Sequence, residues 1–175
     1  MIIFLSYSSK DRTLAEEIHL ALLGGGHEVF FDKSSLPPGG DYNSRIRQAI
    51  KKSDAFVFLI SPNSVRPGGY ALTELSFAKE KWPKPWGVVL PVMLAPTDYS
   101  LIDKYLTAVT ILEPKGNVAA EVAAAVDKLS PLSRRLRRFM LPAFILSLII
   151  GLPLGWYFWP PPPPPSCSLT ADQEK

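Results

Sequence analysis

The sequence predicts an α/β domain, a parallel sheet with helices on both faces, followed by one transmembrane helix. Three observations carry this. Apolar runs of strand length alternate with segments of helical periodicity, five strands in all, and such alternation implies parallel crossover connections. One run, Ala55–Ile60 (AFVFLI), is apolar at every position, as a strand covered on both faces must be. And the 21 residues from Phe139 to Trp159 contain no charge.

The elements follow in chain order. Ile2–Ser6 is a buried strand. Thr13–Leu23 is an amphipathic helix with Leu14, Ile18, Ala21 and Leu22 on one face, and Thr13 and Glu16 stand at capping-box spacing. Gly24-Gly25-Gly26 follows a helix rather than a strand, so it reads as a C-cap and not as a phosphate cradle. Glu28–Asp32 is the second strand. Tyr42–Lys52 is a helix with Asp41 as N-cap and Ile46, Ala49 and Ile50 inward. After the Ala55–Ile60 strand, Ala71–Glu80 is a helix packing Leu72, Leu75 and Ala78. Val88–Leu94 is the fourth strand, Ser100–Leu106 a short helical turn and Val109–Leu112 the fifth strand. Val118–Leu129 closes the domain with Val118, Val122, Val126 and Leu129 inward.

Phe139–Trp159 spans about 31 Å as a helix, the thickness of a bilayer's hydrocarbon core. Trp156, Tyr157 and Trp159 supply an aromatic belt at one end, and Arg134, Arg135, Arg137 and Arg138 flank the other. The arginines place the N-terminal domain in the cytoplasm and also suit anionic lipid head groups. The chain begins MIIFLSYSS, with no secretory signal pattern. Ser147, Gly151 and Gly155 share a helix face that permits close approach of two helices, although Pro153 interrupts it. Pro160–Pro165 is a stiff spacer before a polar tail. The expected organisation is a domain at 1–130, a basic linker at 131–138, a membrane helix at 139–159 and an extracytoplasmic tail at 160–175.

Composition excludes several classes. The net charge of +3 is local, because residues 1–133 carry 14 Lys/Arg and 14 Asp/Glu. A neutral globular part lacks the electrostatic footprint of a nucleic-acid binder. The single cysteine, Cys167, rules out an internal disulfide framework, and with only His19 and His27 no metal site is expected. No GxGxxG follows the first strand, and neither GxxxxGK[ST] nor GxSxG occurs. Dinucleotide oxidoreductases, P-loop enzymes and α/β-hydrolases are therefore unsupported. In a sheet of this kind ligands bind beyond the carboxyl ends of the strands. Those ends are Ser6–Lys10, Asp32–Asp41, Ser61–Tyr70, Leu94–Thr97 and Glu113–Gly116.

The residues at these ends carry a resemblance. FLSYSSKD, FFDKSSLPPGGD, FLISPNS and YALTEL, followed by VLPVML, resemble in order and spacing a Toll/interleukin-1 receptor (TIR) domain over about residues 1–130. The resemblance, to the bacterial type, implies a flavodoxin-like five-stranded parallel sheet. It implies that the loop after the second strand, with Lys33, Ser35, Leu36, Pro38, Gly39 and Asp41, makes contacts between TIR domains. It also implies cleavage of NAD+ at the nicotinamide–ribose bond, with NAD+ as substrate and no cofactor. The family's catalytic glutamate lies in a motif close to W-C-x-x-E, and Tyr70-Ala71-Leu72-Thr73-Glu74 matches it. Glu74 is retained, while tyrosine and alanine replace tryptophan and cysteine.

One carboxylate suffices for this chemistry. Departure of an already cationic nicotinamide leaves positive charge on the ribose, which an acidic side chain stabilises. Tyr7, Ser8, Ser9 and Pro37 match positions that line the nucleotide pocket in the family, and Tyr70, one helical turn before Glu74, offers a stacking surface. Several relatives carry a charged side chain where this chain has Ser8, Ser9 or Pro37. Without the family, a lone helix glutamate is a solvated surface group. The expected function is a membrane-anchored NAD+ hydrolase, a prokaryotic antiviral defence effector activated by self-association of its TIR domains, with cyclic ADP-ribose as a possible alternative product. The competing expectation is a non-enzymatic adaptor that recruits another TIR protein or answers an upstream sensor at the bilayer.

Overall fold

The structure, a computed structural model, describes residues 1–31 and 41–129. Met1–Ser133 form one compact unit. Its sheet has the order β2-β1-β3-β4, where β1 is Ile2–Ser6, β2 Glu28–Phe30, β3 Ala55–Ile60 and β4 Val89–Met93. Every pairing is parallel, with Phe4 opposite both Phe30 and Phe56, and Phe58 opposite Pro91. The helices are α1 (Arg12–Gly24), α2 (Tyr42–Lys52), α3 (Tyr70–Lys81), α4 (Lys104–Thr107) and α5 (Val118–Leu129).

Period-two alternation along the strands divides the core into two layers. Phe4, Phe56, Phe58 and Ile60 face α2, α3 and α4, meeting Ile46, Ile50, Leu75, Ala78 and Leu106. Ile3, Leu5, Val57 and Leu59 face α1 and α5, meeting Ile18, Leu22, Val122 and Val126. The division follows from topology. The chain moves outward from β1 to β2, then crosses back past β1 to β3 and on to β4. Right-handed crossovers therefore put α1 on one face and α2 and α3 on the other. All six residues of β3 are buried, as their uninterrupted apolarity predicts.

Local chemistry fixes the ends of the elements. Asp41 caps α2, accepting from the backbone N–H groups of Asn43 and Ser44 at 3.1 and 3.2 Å. At the end of α1 the Gly25 N–H reaches the Ala21 carbonyl and the His27 N–H the Leu22 carbonyl, while Gly26 takes φ +77°. The glycine run is thus a helix terminator. His27 Nε2 meets Asp127 Oδ1 at 3.0 Å, tying the start of β2 to α5, and His19 packs on Phe31.

Two expectations are corrected. The capping box at Thr13 and Glu16 does not form. Ser9–Asp11 makes a 3-10 turn first, the helix starts at Arg12, and the Glu16 carboxylate is taken by Arg12 Nε at 2.8 Å. The sheet has four strands rather than five. Val109–Leu112 contributes a single bridge, with Leu112 N–H donating to the Pro91 carbonyl at 2.9 Å and Met93 N–H to the Leu112 carbonyl at 2.8 Å. The next donors in the ladder belong to Pro91 on one side and Pro114 on the other, and proline has no N–H. Pairing stops on both sides for that reason.

Among the described residues no helix is long and apolar enough to cross a membrane. The expected linker, membrane helix and tail at 131–175 lie outside the described residues, as do Lys33, Ser35, Leu36, Pro37, Pro38 and Gly39 of the loop after β2.

The cap at Asp41 carries a pH dependence. Hydrogen bonds from the Asn43 backbone and the Ser44 side chain hold its carboxyl below the ordinary value of 3.8. A depressed folded-state pKa gives stability that is complete above the unfolded value and lost as pH falls through the folded one. The difference in thermal midpoint between the wild type and Asp41→Ala is therefore expected to be largest near about pH 7 and to narrow by about pH 2.5. A difference that does not change with pH contradicts this.

Candidate active site

The strand order reverses direction between β1 and β3, and the crevice at such a reversal is where open α/β sheets take ligands. The loop after β1 and the loop after β3 enclose a pocket of about 190 Å3 there, lined by Tyr7, Ser8, Ser9, Lys10, Asn63, Arg66, Gly69, Tyr70 and Ala71. Asp11 fastens the two loops together. Its carboxylate accepts from Ser61 Oγ at 2.5 Å and from Asn63 Nδ2 at 3.3 Å. Ser61 and Ser64 brace the second loop, Ser64 Oγ accepting from the Ser61 N–H at 2.9 Å.

Glu74 lies one helical turn behind this pocket. On α3 it shares the inward face with Ala71, Leu75 and Ala78, the residues at helical spacing around it, and it is 3% exposed. A bare carboxyl among those apolar neighbours is unfavourable. Ser6 meets the need. It is the last residue of β1, on the same sheet face as Phe4, and its Oγ donates to Glu74 Oε2 at 2.6 Å. Ser6 is itself fully buried. The pair joins a strand end to a helix start across 68 residues of sequence.

Tyr70 lines the pocket one helical turn before Glu74. Its ring packs edge-on against Tyr42 at 4.9 Å between centroids, and its hydroxyl donates to Asn43 Oδ1 at 2.7 Å. Burial, then the charges of Glu74 and Asp41, push the Tyr70 hydroxyl above its ordinary pKa of 10. Tyr70 is thus in electrostatic contact with the acid behind it and with the start of α2.

A family model of the TIR domain matches residues 3–129. The chain belongs to the TIR domain family. The match runs from β1 to the end of α5, so it contains both pocket loops and α3. The TIR domain of the Toll-related receptor TRR-2 from Hydra magnipapillata is similar in fold, with a TM-score of 0.57 and 18% identity over 77% of this chain and 97% of that one. The CMP N-glycosidase BcmB from Clostridium botulinum has a TM-score of 0.46 and 22% identity over 73% of this chain and 99% of its own. No curated protein matches.

Within this TIR domain, Tyr7, Ser8, Ser9 and Tyr70 line one pocket. Glu74 is buried outside the lining, and Asp41 is a helix cap. Lys10, Asn63 and Arg66 also line the pocket; Lys10 and Asn63 fall within the motif segments and Arg66 just after one, but the motifs assign none of them a role. Their loops were the visible signal, since both were expected at ligand-binding strand ends. A wider cleft of about 410 Å3 beyond β4 is lined by the strand ends Leu94–Thr97 and Glu113–Pro114 but by none of the residues the family motifs mark, and its Glu113 accepts from the Tyr99 hydroxyl at 2.5 Å.

The buried pair gives a measurable expectation. Ser6→Ala leaves one Glu74 oxygen without that donor and is expected to destabilise the domain by about 1–3 kcal/mol in urea unfolding. A loss under about 0.5 kcal/mol means that the pair does not hold α3 to β1.

Proposed function

We propose that this TIR domain hydrolyses NAD+ at the nicotinamide–ribose bond, with Glu74 stabilising the ribose cation. The observation that carries the reading is the placement of Glu74, held by Ser6 at the carboxyl edge of the sheet one turn behind a pocket at the reversal point. In the reaction the bond from ribose C1′ to the ring nitrogen breaks and its electron pair stays with nicotinamide, which leaves neutral. The positive charge left on the sugar faces the carboxylate, and water adds to C1′ and releases a proton, giving ADP-ribose. Glu74 is 3% exposed, so access requires side chains around it to rearrange, and Tyr70 at the pocket offers a stacking face.

A second reading, the non-enzymatic adaptor, is favoured by one observation. A glutamate 3% exposed and bonded to a buried serine also serves as a purely structural group. The two readings part on the full-length chain clustered in vesicles with NAD+. The hydrolase releases nicotinamide, and Glu74→Gln, which keeps the shape, lowers the rate at least about 100-fold without loss of folding. Unchanged release in a folded Glu74→Gln protein removes Glu74 from the chemistry, and no release from the clustered wild type leaves the adaptor. Chromatography of the sugar product separates ADP-ribose from its cyclic form.

The reading includes a tether at 139–159, with the TIR domain on the cytoplasmic side, where anchoring raises the local concentration for self-association. It fits a prokaryotic defence effector that consumes NAD+ once assembled. Full-length protein is expected to stay with membranes through an alkaline carbonate wash and a chain ending at residue 138 to be released. Equal release of both rejects the tether.

A further inference from the structure

The charge that lines the pocket is positive, and the buried acid Glu74 lies outside the lining, one helical turn along α3 from Tyr70. Two of the pocket's nine lining residues carry charge, Lys10 from the loop after β1 and Arg66 from the loop after β3, and both are cations. Both are exposed, so they stand at the mouth. Among the described residues neither is drawn into an ion pair. The nearby acids are occupied elsewhere. Asp11 accepts from Ser61 and Asn63, and Glu74 accepts from Ser6. Arg66 is held where it is by backbone packing. The Gly69 N–H donates to the Arg66 carbonyl at 2.9 Å, and a Cβ at Gly69 would meet that same oxygen at 2.9 Å, so only glycine allows the turn to close.

Positive charge at the mouth and a buried acid one helical turn from the lining favour a ligand with the opposite polarity, anionic at one end and cationic at the other. We propose that Lys10 and Arg66 grip the diphosphate of a dinucleotide and so direct its cationic base and ribose toward Glu74. The proposal rests on the reading above that the nucleotide enters this pocket. Lys10 supplies a mobile point charge, and Arg66 a planar fork that suits paired phosphate oxygens. Contacts made equally before and during bond breaking act on substrate affinity rather than on the chemical step. These two side chains are therefore binding residues that select phosphorylated ligands.

The test uses the full-length chain in phosphatidylcholine vesicles, titrated with ADP-ribose and with adenosine. ADP-ribose is expected to bind and adenosine to bind far more weakly. Lys10→Ala and Arg66→Ala are each expected to weaken ADP-ribose about tenfold, the double variant further, with Lys10→Arg retaining affinity. In NAD+ cleavage the double variant is expected to raise KM and keep kcat. Absence of ADP-ribose binding by the wild type, equal affinity in the double variant, or an unchanged KM overturns the proposal even if nicotinamide is released. ADP-ribose binding that depends on both cations, without any NAD+ cleavage, upholds the phosphate grip and rejects the hydrolase.

Discussion

The hydrogen bond from Ser6 to Glu74 is the constraint on which the candidate site depends. The core on that face of the sheet is built of apolar side chains, among them Phe4, Phe58, Leu75 and Ala78. A carboxyl group is tolerated there because a buried hydroxyl reaches it at 2.6 Å. Hydrogen bonds to charged groups are worth about 1.5–3 kcal/mol, and an unmet carboxyl would cost more. The pair fixes how far α3 slides along β1, and therefore where Tyr70 and Ala71 stand at the crevice. A catalytic reading and a structural reading share this interaction, which is why the decisive variant keeps the shape and changes only the charge.

Asp11 plays the corresponding part among the loops. By accepting from Ser61 and Asn63 it joins two segments fifty residues apart and leaves Lys10 and Arg66 on the two sides of one opening. The result is an ordered arrangement, with cations at the surface, hydroxyls and an aromatic ring in the lining, and a buried acid outside it. No single segment of the chain carries this order. It exists only because parallel crossovers bring the carboxyl ends of β1 and β3 side by side.

Much of the fold is legible in the sequence, and the exceptions have physical causes. The bounds of α2, β3 and α5 are those the periodicity predicts, because each has an unbroken pattern, and α2 has a capping residue as well. The capping box fails because α1 starts at Arg12, which puts Thr13 inside the helix and lets Arg12 take the Glu16 carboxylate. Asp11 at the N-cap position is committed to Ser61 and Asn63, a tertiary contact no local pattern displays. The fifth strand fails because periodicity weighs side chains, whereas a ladder also needs N–H groups at Pro91 and Pro114. The family motifs mark Tyr7, Ser8, Ser9 and Tyr70, which line the pocket, and Glu74, which does not. They assign no role to Lys10 and Arg66, since an exposed cation in a loop acquires meaning only from what lies opposite.

The proline pair has a consequence for how copies of this domain meet. A sheet margin with open amide donors invites another chain to add a strand. Here the β4 margin is occupied by one bridge, and prolines blunt the positions on either side of it. Growth of the sheet by lateral recruitment has little to hold on that flank. Backbone zippering on this side is thereby disfavoured, and contacts through helices and loops, which can be made and undone, are left as the routes open to another chain.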